Sequence, residues 1–265
     1  MSIAYDQSMK EGFVYPPNKI TVPCSIYMAR IVELREFIST FFGIIKTQAE
    51  IIGRLPEDVK IEVCPDSAFR KVNYNYSKHR QFVNEIMISR AVESLELYLS
   101  TVLREIFSAK PEMLKSEGQI DVSTIIDLND YDLIINHIVE NKIHGLMYKP
   151  LRDLVKYIKG RTNIDLFENQ KFFEQYQVAS EIRNLIAHND CSENKLFSRR
   201  MSGVDHGIQI GLTGRLVLTD EFVRKLSYSM DAIVFRFDQI VSDKFSLVTV
   251  DSSSVSLKRG AESED

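Results

Sequence analysis

Apolar residues recur at helical spacing along most of the chain. Ile31, Leu34, Phe37, the pair Phe41/Phe42 and Ile45 follow a three-to-four-residue spacing, which predicts one helix from Ala29 to about Ile52, ended by Gly53 and Pro56. A second long helix is predicted from Tyr76 to Ser108, apolar at Phe82, Ile86, Val92, Leu95, Leu99, Val102 and Ile106. Lys110-Pro111 punctuates it, and a short helix is expected at Glu112–Lys115. Between Val122 and Lys159 the pattern gives two or three shorter helices, around 131–142 and 148–159, with Gly160 as a C-cap. A further long helix runs from near Glu168 to near Asp190, with Val178, Ile182, Leu185 and Ile186 as its apolar stripe.

Elsewhere the period changes. Residues 57–64 alternate apolar and polar and read as a short strand closed by Pro65. Residues 191–205 are polar and read as a loop. Ile208–Leu212 and Arg215–Thr219 alternate around Thr213-Gly214, which predicts a small β-hairpin. Thr219 suits the N-cap of a last helix from Asp220 to about Lys244, apolar at Phe222, Leu226, Met230, Ile233, Val234, Phe237 and Ile240. Residues 1–25 read as irregular, and the serine-rich, charged tail from Asp251 has the composition of disorder. The expected architecture is all-α: a helical bundle with a small β-hairpin before the last helix. It divides into an N-terminal extension (1–75), a helical domain (76–245) and a tail (246–265).

Composition narrows the chemistry. Of 265 residues, 44% are hydrophobic and 26% charged, enough for a buried core with a charged surface. The formal net charge is −4, so a global basic field for nucleic acid is absent and any RNA contact needs a local patch. Cys24, Cys64 and Cys191 are far apart and odd in number, which suggests neither a zinc site nor a disulfide framework and fits a reducing cytoplasm. No cofactor or metal is expected, because Gly-rich phosphate loops and Gly-x-Ser-x-Gly elbows are missing and His137, His144 and His206 lack metal-ligand spacing. The start of the chain lacks a signal-peptide pattern, and no apolar run is long enough to span a bilayer, so no membrane is expected.

The run Ser180-Glu-Ile-Arg-Asn-Leu-Ile-Ala-His-Asn189 holds the densest chemistry in the chain. An arginine can neutralise a phosphate, and a histidine can move a proton near neutral pH. At about 100° per residue with Val178 at zero, Ile182 falls near about 40°, Leu185 about −20° and Ile186 about 80°. His188 then lies at about −80°, on one flank with Glu181 and Asn184, while Arg183 at about 140° and Ala187 at about 180° point away from the core. A spacing of five separates Arg183 from His188 by about 140°. One phosphate can therefore meet both only if the long Arg183 side chain reaches around or a second helix supplies the complement, and the small Ala187 permits the close approach of such a helix.

Arg183-Asn184-Leu-Ile-Ala-His188 resembles the signature of the HEPN superfamily, Arg-X4-6-His, in its Arg-Asn-X3-His form. The stretch Ser89–Phe107 is similar to the first core helix of HEPN proteins of bacterial defence and abortive-infection loci, and the hairpin before a long last helix suits that group. The resemblance covers about residues 76–245. It implies a HEPN-like bundle, often dimeric through the motif helices, and in active members a metal-independent endoribonuclease. His188 would then act as general acid or base, Arg183 would steady the phosphate, and Asn184 would orient groups in the cleft. The products would carry 2′,3′-cyclic phosphate and 5′-OH ends. Glu93 and Glu96 are candidate acidic partners from the preceding long helix. Some toxin members carry a tyrosine two residues after the histidine, which a partner nucleotidyltransferase modifies; here that residue is Asp190.

Lys195, Arg199 and Arg200 follow the motif closely and are candidate substrate-binding residues on a positive rim. Arg70, Lys71, Tyr74, Tyr76, Lys78, His79 and Arg80 mix cations with aromatic rings, a pattern that can track phosphates and stack on bases, although solvated surface explains it as well. The expected partners are RNA, a second copy of the chain, and an antitoxin or other defence-system protein. Two other readings stay open. The chain can be a non-catalytic HEPN-like module that binds RNA or protein as a sensor or scaffold, or a structural helical protein in which Arg183 and His188 make only surface contacts.

Overall fold

In the computed structural model, described here for residues 14–54, 76–115 and 119–255, the chain is an all-α bundle. The strand expected at 57–64 and, from the mixed cationic and aromatic stretch, Arg70, Lys71 and Tyr74 lie outside the described residues. In chain order the elements are β1 (Lys19–Thr21), α1 (Val22–Arg54), α2 (Tyr76–Ala109), a 3-10 turn (Pro111–Leu114), α3 (Val122–Leu128), α4 (Tyr131–Met147) and α5 (Leu151–Thr162). There follow α6 (Gln170–Asn189), α7 (Lys195–Met201), β2 (Gln209–Ile210), β3 (Leu216–Val217), α8 (Asp220–Phe245), β4 (Thr249–Asp251) and a 3-10 turn (Ser252–Val255).

α2 is the central helix and touches α1, α4, α6 and α8. Its residues Ile88, Ala91, Val92, Leu95, Leu99, Val102, Leu103 and Ile106 are all fully or almost fully buried, so it is apolar on more than one side. Phe107 extends this core toward α5, where it meets Tyr157 edge-on at 6.3 Å. The first half of α1 joins the same core through Cys24, Tyr27 and Ile31. The packing is therefore continuous across the boundary expected at residue 75.

The N-terminus is more ordered than its sequence suggested. α1 starts at Val22 rather than Ala29, because Pro23 is tolerated in a first turn and the Cys24 amide donates to Thr21 Oγ1 at 3.2 Å. β1 pairs antiparallel with β4, Lys19 opposite Asp251 and Thr21 opposite Thr249. Residues 249–255 thus belong to the fold rather than to a disordered tail. Two buried aspartates of α8 lock this end. Asp238 accepts from the Thr21 amide at 2.9 Å, Thr21 Oγ1 at 2.5 Å and the Tyr98 hydroxyl at 3.1 Å. Asp231 accepts from the Tyr27 hydroxyl at 2.8 Å and Arg35 at 2.7 Å.

Helix ends follow local chemistry. Gly160 is not a C-cap: α5 runs on to Thr162, and Asn163 takes the left-handed conformation (φ 53°) that ends it, since asparagine tolerates that region. The segment 191–205 is not all loop. Asn194 accepts from the Phe197 amide at 2.9 Å and starts α7, which buries Phe197 and Met201 one turn apart. The hairpin forms as expected, with Gln209 opposite Val217 and Ile210 opposite Leu216. Thr219 caps α8, its hydroxyl oxygen accepting from the Phe222 amide at 3.2 Å. Thr219→Ala is expected to lower the unfolding free energy by about 1 kcal/mol, read from a urea titration. No described helix is long and apolar enough to cross a membrane.

Candidate functional site

The motif lies in the last two turns of α6. Asn169 caps the start of this helix, accepting from the Phe172 amide at 3.2 Å. Val178, Ile182 and Leu185 are buried as the stripe requires, and Ile186 is half-buried. Tyr176 and Ala179 are buried too, so the core-facing arc is wider than the stripe alone indicated.

That wider arc changes the place of Arg183. Its side chain is only 27% exposed and Nη2 donates to Glu96 Oε1 of α2 at 2.5 Å, while Nε is buried without a hydrogen-bond partner. The expectation that Arg183 points to solvent opposite the core is thus corrected. α2 crosses α6 on the side shared by Tyr176 and Arg183, and a crossing helix leaves no mark on the pattern of α6 itself. Burial pushes the Glu96 carboxyl above its usual range, although the Arg183 guanidinium pulls the other way. Tyr176, fully buried nearby, has its hydroxyl pushed up by burial and by the charge of Glu96. Glu93 does not join this pair; it bonds Arg90 on its own helix at 2.9 Å.

His188 is exposed in the last turn, and no hydrogen bond or ion pair holds it among the described residues. Asn184 is half-buried and Ala187 exposed. The chain then turns sharply, with Asp190 (φ 48°) and Cys191 (φ 54°) both left-handed and the Cys191 amide donating to the Leu185 carbonyl at 3.0 Å.

A clamp with no local signal in the residue pattern fixes this turn. Arg215 of the hairpin donates to Glu85 of α2 at 2.9 Å and lies 3.4 Å from Asp190. Gln81 bonds the backbone of the same strand on both sides, donating to the Leu216 carbonyl and accepting from the Leu218 amide, each at 3.0 Å. The Leu216 amide donates to the Cys191 carbonyl at 2.9 Å. Burial is the first cause that pushes the Cys191 thiol up to about 12, which keeps it protonated at neutral pH.

The three candidate rim cations separate. Lys195 and Arg199 are exposed on α7, which packs beside α6. Arg200 is held by Glu181 of α6 at 2.8 and 3.1 Å, a pair that fixes the two helices to each other. Its charge is already matched, so it is the weakest of the three as a phosphate ligand. Among the described residues no three His, Cys, Asp or Glu side chains are grouped to hold a metal ion.

No protein-family model matches the chain, and no curated protein or solved structure is significantly similar to it. The functional reading therefore stands on the residues of α6 and their neighbours.

Proposed function

We propose that the chain is a metal-independent endoribonuclease of the defence or toxin type, HEPN-like in its Arg183-Asn184-X3-His188 motif. The observation that carries this reading is the contrast within the motif. His188 is exposed and, among the described residues, unengaged, and Arg183 is held in one place by Glu96. A proton-transfer group needs access, whereas a group that steadies charge gains from a fixed position.

In the proposed reaction a ribose 2′-oxygen attacks the adjacent phosphorus and loses its proton to an imidazole. The bond from phosphorus to the 5′-oxygen breaks, and an imidazolium supplies the proton to that leaving oxygen. The ends formed are a 2′,3′-cyclic phosphate and a 5′-hydroxyl. The phosphate shares the charge of Arg183 with Glu96, and Asn184 offers an amide to the cleft. Two copies meeting through α6 near Ala187 bring two His188 side chains to one cleft, one as base and one as acid. Lys195 and Arg199 extend the positive rim along the RNA.

The Glu96 ion pair also favours a second reading. An arginine matched by a neighbouring carboxylate is what a structural residue looks like, and a non-catalytic RNA- or protein-binding module, acting as sensor or scaffold for a defence-system partner, would keep it. Incubation of the purified chain with total RNA in excess EDTA separates the two. The nuclease reading expects cleavage with cyclic-phosphate ends; retention of RNA without any cleavage supports the binding module, and neither retention nor cleavage removes both.

A further inference from the structure

One short stretch of the chain runs against its overall charge. Residues 141–162, from the second half of α4 through α5, hold Lys142, Lys149, Arg152, Lys156, Lys159 and Arg161 against a single acid, Asp153, a formal charge of +5 in a chain of net −4. Elsewhere Arg90, Arg104, Arg183, Arg200 and Arg215 each lie against a carboxylate. At the corner where α4 turns into α5 that matching stops. Lys149, Arg152 and Lys156 are exposed, and their side chains make no ion pair or hydrogen bond among the described residues. Lys142 and Arg161 both lie over the Tyr157 ring, at 4.6 and 5.7 Å from its centre. Burial, and then the charges of Lys149 and Arg161, hold the Lys142 ammonium below its usual range, so these cations act on one another. The corner also presents a ring. Tyr148, next to Lys149, is 79% exposed and packs against His144 with ring centres 4.9 Å apart.

We propose that this corner holds single-stranded RNA, with phosphates on Lys149, Arg152 and Lys156 and a base stacked on Tyr148. The choice of RNA rests on the nuclease reading; the contact itself is with a strand and not with the reaction. Unmatched cations beside an exposed ring suit a flexible strand, because the charge follows the backbone and every base has a face to stack. Arg152 and Lys156 stand one turn apart on one side of α5, so they follow the strand rather than a single phosphate. A paired helix keeps its bases stacked inside and offers no open face to Tyr148. A membrane surface requires apolar side chains turned outward beside the cations, whereas α5 buries its Leu154 and Ile158 in the core.

Fluorescence anisotropy of a labelled 2′-O-methyl oligouridine reads this contact without cleavage, since the 2′-oxygen that the proposed reaction uses is blocked. The full chain carries Lys195→Ala and Arg199→Ala throughout, which removes the rim proposed for the cleft. Binding is expected at low salt and falls as salt rises. Adding Arg152→Ala and Lys156→Ala is expected to weaken it by about tenfold or more at about 0.1 M salt, and to make the slope of log affinity against log salt shallower by about 1.4. Tyr148→Ala is expected to lose about 5- to 150-fold with the slope unchanged, and Tyr148→Phe to keep the affinity. Lys171→Ala with Lys225→Ala removes the same charge from exposed positions of α6 and α8 and is expected to leave binding as it was. Every variant is expected to keep the helical circular dichroism, because the residues changed are exposed. Equal weakening by the two lysine and arginine pairs, or equal binding of polyglutamate, means general attraction between charges and overturns the proposal. Unaltered binding by Tyr148→Ala overturns it too, as does retention on phosphatidylserine vesicles without any hold on the oligonucleotide. A chain that binds the strand at this corner yet cleaves no RNA upholds the proposal and removes the nuclease reading alone.

Discussion

His188→Ala is expected to lower the rate of RNA cleavage by about 10²–10⁴-fold while leaving thermal stability unchanged. The two halves of this expectation come from different observations. The loss of rate follows from the role proposed for the imidazole, which moves a proton in the step that breaks the phosphodiester. The unchanged stability follows from the structure: His188 is exposed and bonded to no other described side chain, and such surface substitutions fall within about 0.5 kcal/mol. Arg183→Ala behaves differently. It leaves Glu96 half-buried beside Tyr176 without its cation, so both rate and stability fall. Measuring single-turnover cleavage and the melting temperature on both variants checks the pair. Cleavage that persists in His188→Ala counts against the assigned site, and a large drop in its melting temperature counts against its free, exposed placement.

The contrast between those two residues marks where the sequence was readable. The stripe Val178, Ile182 and Leu185 is a local pattern, and the helix it specifies is present with the expected flank for His188. The burial of Arg183 is not local. It depends on α2 passing over that side of α6, and no periodicity within α6 encodes a neighbour. The same limit hid the pairing of β1 with β4, whose partners lie at opposite ends of the chain, and the clamp of Gln81 and Glu85 on the hairpin. Two misses were local and could have been read. Asn194 followed by Phe197 and Met201 is an N-cap with an apolar pair at helical spacing, yet the polar residues around it suggested a loop. Asn163, three residues beyond Gly160, was the better left-handed stop because the helix still had Thr162 to bury.

Asp238→Ala is expected to cost about 3–5 kcal/mol of stability, the largest loss anticipated for a single substitution in this chain. The carboxylate receives the Thr21 amide, the Thr21 hydroxyl and the Tyr98 hydroxyl in a site closed to solvent. Removing it leaves those donors buried without an acceptor, and the attachment of β1 and the start of α1 to α8 goes with it. A loss of that size is a large share of the roughly 5–15 kcal/mol typical of a folded domain, so Asp238→Asn supplies the measurable companion. Asparagine keeps the shape and one acceptor but carries no charge. Burial raises the Asp238 carboxyl above its usual range, with the bonds from Thr21, Tyr98 and Cys24 opposing. The folded state therefore holds this proton more tightly than the unfolded chain does. Its contribution is fully present below the ordinary carboxylate range and is lost as pH rises through the raised folded value. Tyr98, Cys24 and Glu105 interact with this carboxyl, and burial pushes each of them toward its neutral form as well, so none of them cancels the trend. Guanidinium titrations of both proteins from acid to neutral pH should show the wild-type chain losing stability relative to Asp238→Asn as the pH increases. A difference that grows in favour of wild type over that interval would mean that the three donors outweigh burial, and that the lock between the two ends of the fold is an ionised carboxylate satisfied in place.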